Sequence, residues 1–146
     1  MTTDSKVLYS MLNELEIADD AFKINIDKLM SVGVKIANKS KDFQDELQLF
    51  GDIIFHLYLK DIDFNIWIIN SNGILTYNTS FYEPESEKKR VIHFILVKNT
   101  LKRIFTKDLD AAEAYMKGFI EFDGDFSDAM IAKNLMKIYS HCLEHI

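Results

Sequence analysis

The sequence predicts an α+β fold, with helices toward both ends of the chain and five strands, three of them consecutive. Two observations carry this. Apolar residues recur at three- and four-residue spacing before residue 50 and after residue 100, whereas between Ile53 and Val97 the period shortens to two. Turn chemistry agrees with the change of period: Asn72-Gly73, a pair that tolerates positive φ, sits between two apolar runs as a hairpin turn does. At 146 residues, with 48% hydrophobic and 27% charged, the chain suits one globular domain with a sizeable core.

Taken in order, Ser5–Ile17 places Leu8, Met11, Leu12 and Leu15 on one face of a short amphipathic helix. Asp19-Asp20 is placed to cap a second helix, in which Phe22, Ile26, Leu29, Gly33 and Ile36 share a face. A third helix, Asp42–Phe50, stops at Gly51. Ile53–Leu59 is the first strand, with Ile53, Phe55, Leu57 and Leu59 on one side and Ile54, His56 and Tyr58 on the other. Phe64–Ile69 and Ile74–Tyr77 follow, and the three strands make an antiparallel meander.

A polar loop holding the single proline, Pro84, leads to a fourth strand, Val91–Val97. Thr100 caps a helix over Leu101–Lys107. Asp110, with Glu113 three residues on, opens Ala111–Lys117, which Gly118 ends. Phe119–Phe122 is a short fifth strand, and Gly124 turns it into a last helix from about Ser127 to Glu144. Ile131, Leu135, Ile138 and Cys142 lie on one line of that helix, with Ala132, Met136, Tyr139 and Leu143 beside it. This arc is wider than one packing contact needs, so something covers it.

The charge balance excludes several function classes. Seventeen Lys and Arg against 23 Asp and Glu give a net charge of −6, unsuited to nucleic acid, whose binding rests on basic groups. The densest basic run, Lys88-Lys89-Arg90, follows Glu83, Glu85 and Glu87 and is locally neutralised. Docking to an anionic membrane is disfavoured for the same reason. No apolar run reaches the roughly 18–20 residues of a membrane span, so no stable insertion is expected. The opening Met1-Thr-Thr-Asp-Ser-Lys has no apolar signal segment, and the single cysteine, Cys142, cannot form an intrachain disulfide. A cytoplasmic protein is the expectation.

The segment Leu101–Tyr139 is the most specific. A short helix after the fourth strand is followed by Ala111-Ala-Glu-Ala-Tyr-Met-Lys-Gly118, then Phe119-Ile-Glu-Phe-Asp-Gly124-Asp125, then an apolar helix in which the small Ala129 falls near the start. This order resembles the sterol carrier protein 2 (SCP-2) family of lipid-binding domains, over roughly residues 20–139. The first two strands and the Asn72-Gly73 turn fit as well. The resemblance implies a five-stranded mixed, mostly antiparallel sheet covered on one face by helices. It also implies an apolar tunnel between them that takes a sterol, fatty acid or acyl-CoA without catalysis. Residues 1–18 would be a helical extension and 19–146 the SCP-2-like domain. The acidic charge departs from the best-known carriers.

No nucleophile stands beside a base, no glycine-rich phosphate loop is present, and no cofactor is expected. His141 and His145, one turn apart beside Cys142, could share a metal, but they lack a third ligand at motif spacing and suit the last turn of a helix instead. His56 and His93 read as half-buried strand residues with a backbone or Tyr partner. Glu121 and Asp123 read as a solvated strand edge. A chain free of stoichiometric metal is expected. The apolar surplus is more informative, with eleven Phe, six Met and six Tyr. Helical facing together with the resemblance gives Leu101, Ile104, Phe105, Tyr115, Met116, Phe119, Ile131, Leu135 and Tyr139 as the candidate tunnel lining. A second expectation, from a different class, is an interaction module with a filled tunnel, dimerising through the Leu8–Met11–Leu12–Leu15 stripe.

Overall fold

The computed structural model describes residues 3–15, 18–80, 82 and 89–145, apart from the side chains of 142, 144 and 145. Ile17, Pro84, Glu83, Glu85, Glu87, Lys88 and the side chains of Cys142, Glu144 and His145 therefore lie outside the described residues. Six helices, α1 (Thr3–Asn13), α2 (Asp19–Lys39), α3 (Lys41–Phe50), α4 (Lys98–Phe105), α5 (Ala111–Met116) and α6 (Phe126–His145), accompany five strands. The strands are β1 (Ile53–Leu59), β2 (Phe64–Ser71), β3 (Ile74–Asn78), β4 (Arg90–Leu96) and β5 (Glu121–Asp123).

They form one sheet in the order β3-β2-β1-β4-β5. The β1–β2, β2–β3 and β4–β5 pairs are antiparallel, and the central β1–β4 pair is parallel. The sheet is thus mixed and mostly antiparallel. Alternation divides its faces. Ile53, Phe55, Leu59, Ile66, Leu75, Ile92 and Leu96 are buried in the two large clusters shared with the helices, while Ile54, Trp67 and Ile69 form a small cluster of their own with Tyr82 and Val91.

Helix ends follow their caps. Ser40 Oγ accepts from the Phe43 N–H at 3.3 Å and starts α3. Asp110 accepts from the N–H groups of Ala112 and Glu113 and starts α5. Asp19 and Asp20 do not cap α2. They lie in its first turn, after Ala18, where a negative charge suits the helix dipole. Thr100 does not cap α4 either. The helix begins at Lys98, whose N–H donates to Asp61 Oδ1 at 3.1 Å, so the capping acceptor comes from the β1–β2 turn.

The fifth strand starts two residues later than the sequence predicts. Gly118 adopts φ 78°, its N–H donates to Tyr115 O, and the Phe119 N–H donates to Ala114 O. These two bonds close the end of α5 and draw Phe119 into the helix cap.

The Leu8–Leu12–Leu15 stripe is spent inside the chain. All three are buried in the same cluster as Phe22, Ile26, Leu29 and Met30 of α2. The expected dimer surface on this helix is corrected accordingly: the leucines that would have met a second copy already meet α2.

Candidate functional site

The helix-covered face of the sheet holds the apolar layer expected to receive a guest. From α6, Ile131, Leu135 and Tyr139 join Phe43 and Leu47 of α3 and Phe55, Leu75 and Ile92 of the sheet. Tyr139 is the best fixed of them. Its hydroxyl donates to Gly33 O on α2 at 2.8 Å, and its ring meets Phe43 edge-on at 5.3 Å. From α4, Leu101 and Phe105 join the cluster of Leu59, Ile66 and Leu96, to which Tyr139 and Phe94 also belong. Ile104 packs instead with Leu109 and Ala114, next to Ile120.

Six of the nine expected lining residues are therefore drawn into the interior, five of them into the two large clusters. The other three are not. Met116 is 84% exposed, Phe119 46% and Tyr115 40%. The structure places this trio on the outside of the α5–β5 connection, correcting their expected place in one enclosed lining. Helical facing could not separate them, because α5 is only six residues long and its capped end rotates Phe119 outward.

An aromatic path joins the two groups. Phe94 on β4 belongs to both large clusters, Phe122 on β5 lies 6.4 Å from it, and Tyr115 lies 5.0 Å from Phe122. Phe94 and Phe122 are register partners, so the path runs along one rung of the sheet to the surface at α5. Nearby, Phe126 at the start of α6 is 65% exposed. A cleft of about 420 Å³ is lined by Met11, Glu14, Asn25 and Lys28, residues of α1, the turn after it and α2. Its mixed lining is unlike an acyl-chain site, which is predominantly apolar.

Two comparisons with known proteins return nothing: no family model and no curated protein sequence matches the chain. Solved structures do match. Over 77% of this chain and 93% of its own, the ubiquinone synthesis protein UbiJ-SCP2 superposes with a TM-score of 0.59 at 10% identity. Sterol Carrier Protein 2 from Yarrowia lipolytica, in its apo form, superposes over 84% of this chain and 94% of its own, with a TM-score of 0.55 at 14% identity.

The fold is SCP-2-like.

At these identities the likeness is one of fold. A third match, the stereoselective inverting sec-alkylsulfatase Pisa1 from Pseudomonas sp., has 25% identity and a TM-score of 0.51, covering 63% of this chain but only 14% of the enzyme. The chain thus corresponds to a small part of that enzyme's length.

Among the described residues, no helix is long and apolar enough to cross a membrane, and no group of three His, Cys, Asp or Glu side chains is placed to share a metal ion.

The SCP-2-like sheet carries one polar constellation on its other face that sequence reasoning missed. His56 and His93 are register partners on β1 and β4, and their Nδ1 atoms lie 2.8 Å apart. His56 Nε2 is 2.7 Å from Asn65 Oδ1, and the His56 ring stacks on Trp67 at 3.7 Å and 8°. Burial holds the His56 pKa below its ordinary value; the Asn65 bond opposes that shift and the neighbouring His93 adds to it. The expected Tyr or backbone partners are replaced by an imidazole and an amide. The alternation placing His56 outward was legible in the sequence. The pairing was not, because it depends on β4 crossing over to lie parallel to β1.

Proposed function

We propose that this chain binds a lipid or acyl chain, of the sterol, fatty acid or acyl-CoA class, non-covalently between the sheet and α4 and α6. The observation that carries the reading is the aromatic path Phe94–Phe122–Tyr115, which links the apolar interior to exposed Met116 and Phe119. Exposed apolar side chains continuous with a buried apolar layer suit a guest that enters from this end. The SCP-2-like fold supports the same reading. Burying about 600 Å² of acyl chain contributes about 15 kcal/mol, and micromolar affinity needs about 8 kcal/mol, leaving about 7 kcal/mol for the costs of association and ordering. The role we assign is carriage rather than turnover, in keeping with the SCP-2-like fold.

Native mass spectrometry of the purified chain, with displacement of a fluorescent fatty acid, tests this. A retained lipid of defined mass and saturable displacement are expected. No retained lipid together with no probe binding would overturn the proposal. That outcome would favour an interaction module, a reading the burial of Leu101, Ile104 and Leu135 supports, since the chain's own side chains already pack the layer.

A further inference from the structure

We propose that His56 and His93 form a binding site for a divalent transition-metal cation, Zn²⁺ or Cu²⁺, on the sheet face opposite the helices. The site reverses the expectation of a metal-free chain, and it is independent of the lipid reading because it lies across the sheet from that layer.

The geometry is that of two ligands already aimed at one point. His56 and His93 face each other from adjacent central strands, in register, with Nδ1 atoms 2.8 Å apart. The Asn65 carbonyl oxygen can only accept, so the His56 Nε2 it meets carries the proton, and His56 Nδ1 presents a lone pair to His93. His93 then fills that gap with its own Nδ1–H. A cation in place of this proton needs metal–nitrogen bonds of about 2.0–2.1 Å, which at a tetrahedral angle puts the nitrogens about 3.3 Å apart. Small side-chain rotations supply the remaining half ångström or so. The displaced Nδ1 proton of His93 passes through solvent to its own Nε2, so both rings stay neutral and no charge is lost.

The surroundings are those of ligating histidines. A metal-bound imidazole usually donates its other N–H to an oxygen that fixes ring and tautomer. His56 has this already in Asn65, and Trp67 holds the ring flat against its own. On the far side of His93, Asp123 is its register partner on β5, so their side chains leave the same face of the sheet. Asp123, exposed on β5, is thus an acidic neighbour of His93 in the ladder. With two protein ligands, water completes the coordination sphere, which makes the site open rather than structural. Imidazole pairs favour Cu²⁺ most strongly, with Zn²⁺ behind it.

Trp67 is the chain's single tryptophan, and it stacks on His56, so its emission reports the site directly. Titration of the full chain with Cu²⁺ at neutral pH is expected to quench Trp67 saturably at one equivalent, reversed by a chelator and competed by Zn²⁺. His93→Gln should weaken binding at least tenfold, whereas His141→Ala should leave it unchanged. Absence of saturable quenching, quenching that survives His93→Gln, or loss of quenching in His141→Ala would each overturn the proposal. If His93→Gln alters the circular dichroism spectrum, the imidazole resonances of the wild type decide. Zn²⁺ must move those of His56 and His93, and movement confined to His141 and His145 would refute the site.

Discussion

Asn70 is completely buried, and it is the residue on which three elements meet. Its amide nitrogen donates to Leu47 O and Gly51 O, each at 2.9 Å, and its Oδ1 accepts from the Gly73 N–H at 2.9 Å. One side chain thus ties the end of α3 to the β2–β3 hairpin. Gly73 suits that hairpin for two reasons: its φ is 89°, and a Cβ there would come within 2.8 Å of Gln48. Because a buried polar group left unpaired costs its full desolvation, Asn70→Leu is expected to lose about 3 kcal/mol in urea unfolding. Asn70→Asp should lose more, since it turns an acceptor toward two carbonyls. A loss below about 1 kcal/mol for both would show that water replaces these bonds. Asn38 does comparable work at the sheet edge, donating to Leu75 O and accepting from Leu75 N, both at 2.8 Å. Neither asparagine was singled out in the sequence, where an Asn within or beside an apolar run looks like any other. Only tertiary packing reveals which carbonyls it must serve.

At the scale of elements, periods and caps were legible where the physics is local. The face assignment of β1 holds residue for residue, with Ile53, Phe55 and Leu59 toward the helices and Ile54 away. Boundaries moved where a distant residue intervened, as Asp61 does at the start of α4. The stripe on α1 announced that it needed a partner without saying which. Its burial against α2 makes a definite expectation: Leu12→Ala should cost about 2–4 kcal/mol through lost packing, with a urea midpoint independent of protein concentration. A midpoint that rises with concentration would show that the stripe also serves a second copy. On α6, two neighbouring residues separate packed from open surface. Leu135 is buried among aromatic and β-branched side chains, whereas Met136 is 40% exposed. In the free chain Leu135→Trp is therefore expected to destabilise by about 1–3 kcal/mol through overpacking, and Met136→Trp by less than about 0.5 kcal/mol. A guest of the proposed class would then enter by displacing packed side chains and not by filling a void. Equal thermal stability for the two variants would show instead that the layer around Leu135 has room to spare.

Across the whole molecule, stability is graded from one sheet edge to the other. β1 is paired along its full length on both sides, from Ile53 to Leu59 with β2 and again with β4. β5 has only the rungs at His93, Phe94 and Ile95, and the α5 that precedes it is a six-residue helix whose Tyr115 and Met116 face solvent. Opening free energy follows buried area and backbone pairing, so the α5–β5 corner should open first and β1 last. This gradient explains why the candidate site was only partly legible. Leu101, Leu135 and Tyr139 belong to the well-paired interior that periodicity describes, while Tyr115, Met116 and Phe119 belong to a short, loosely held corner where periodicity has too few turns to act. It also gives the proposed entry route a dynamic signature. Amide exchange of the free chain should be slowest in β1, β2 and β4 and fastest in α5 and β5. A fatty acid at 100 times its dissociation constant stabilises the state it binds by about 2.7 kcal/mol, a slowing of about 100-fold for amides whose opening expels the guest. That slowing is expected in α5, β5 and the first turns of α6, with β3 little changed because it lies at the opposite edge of the sheet. Slowing confined to α1 and α2 would move the guest to the cleft lined by Met11 and Lys28, and no slowing anywhere would remove it from the molecule.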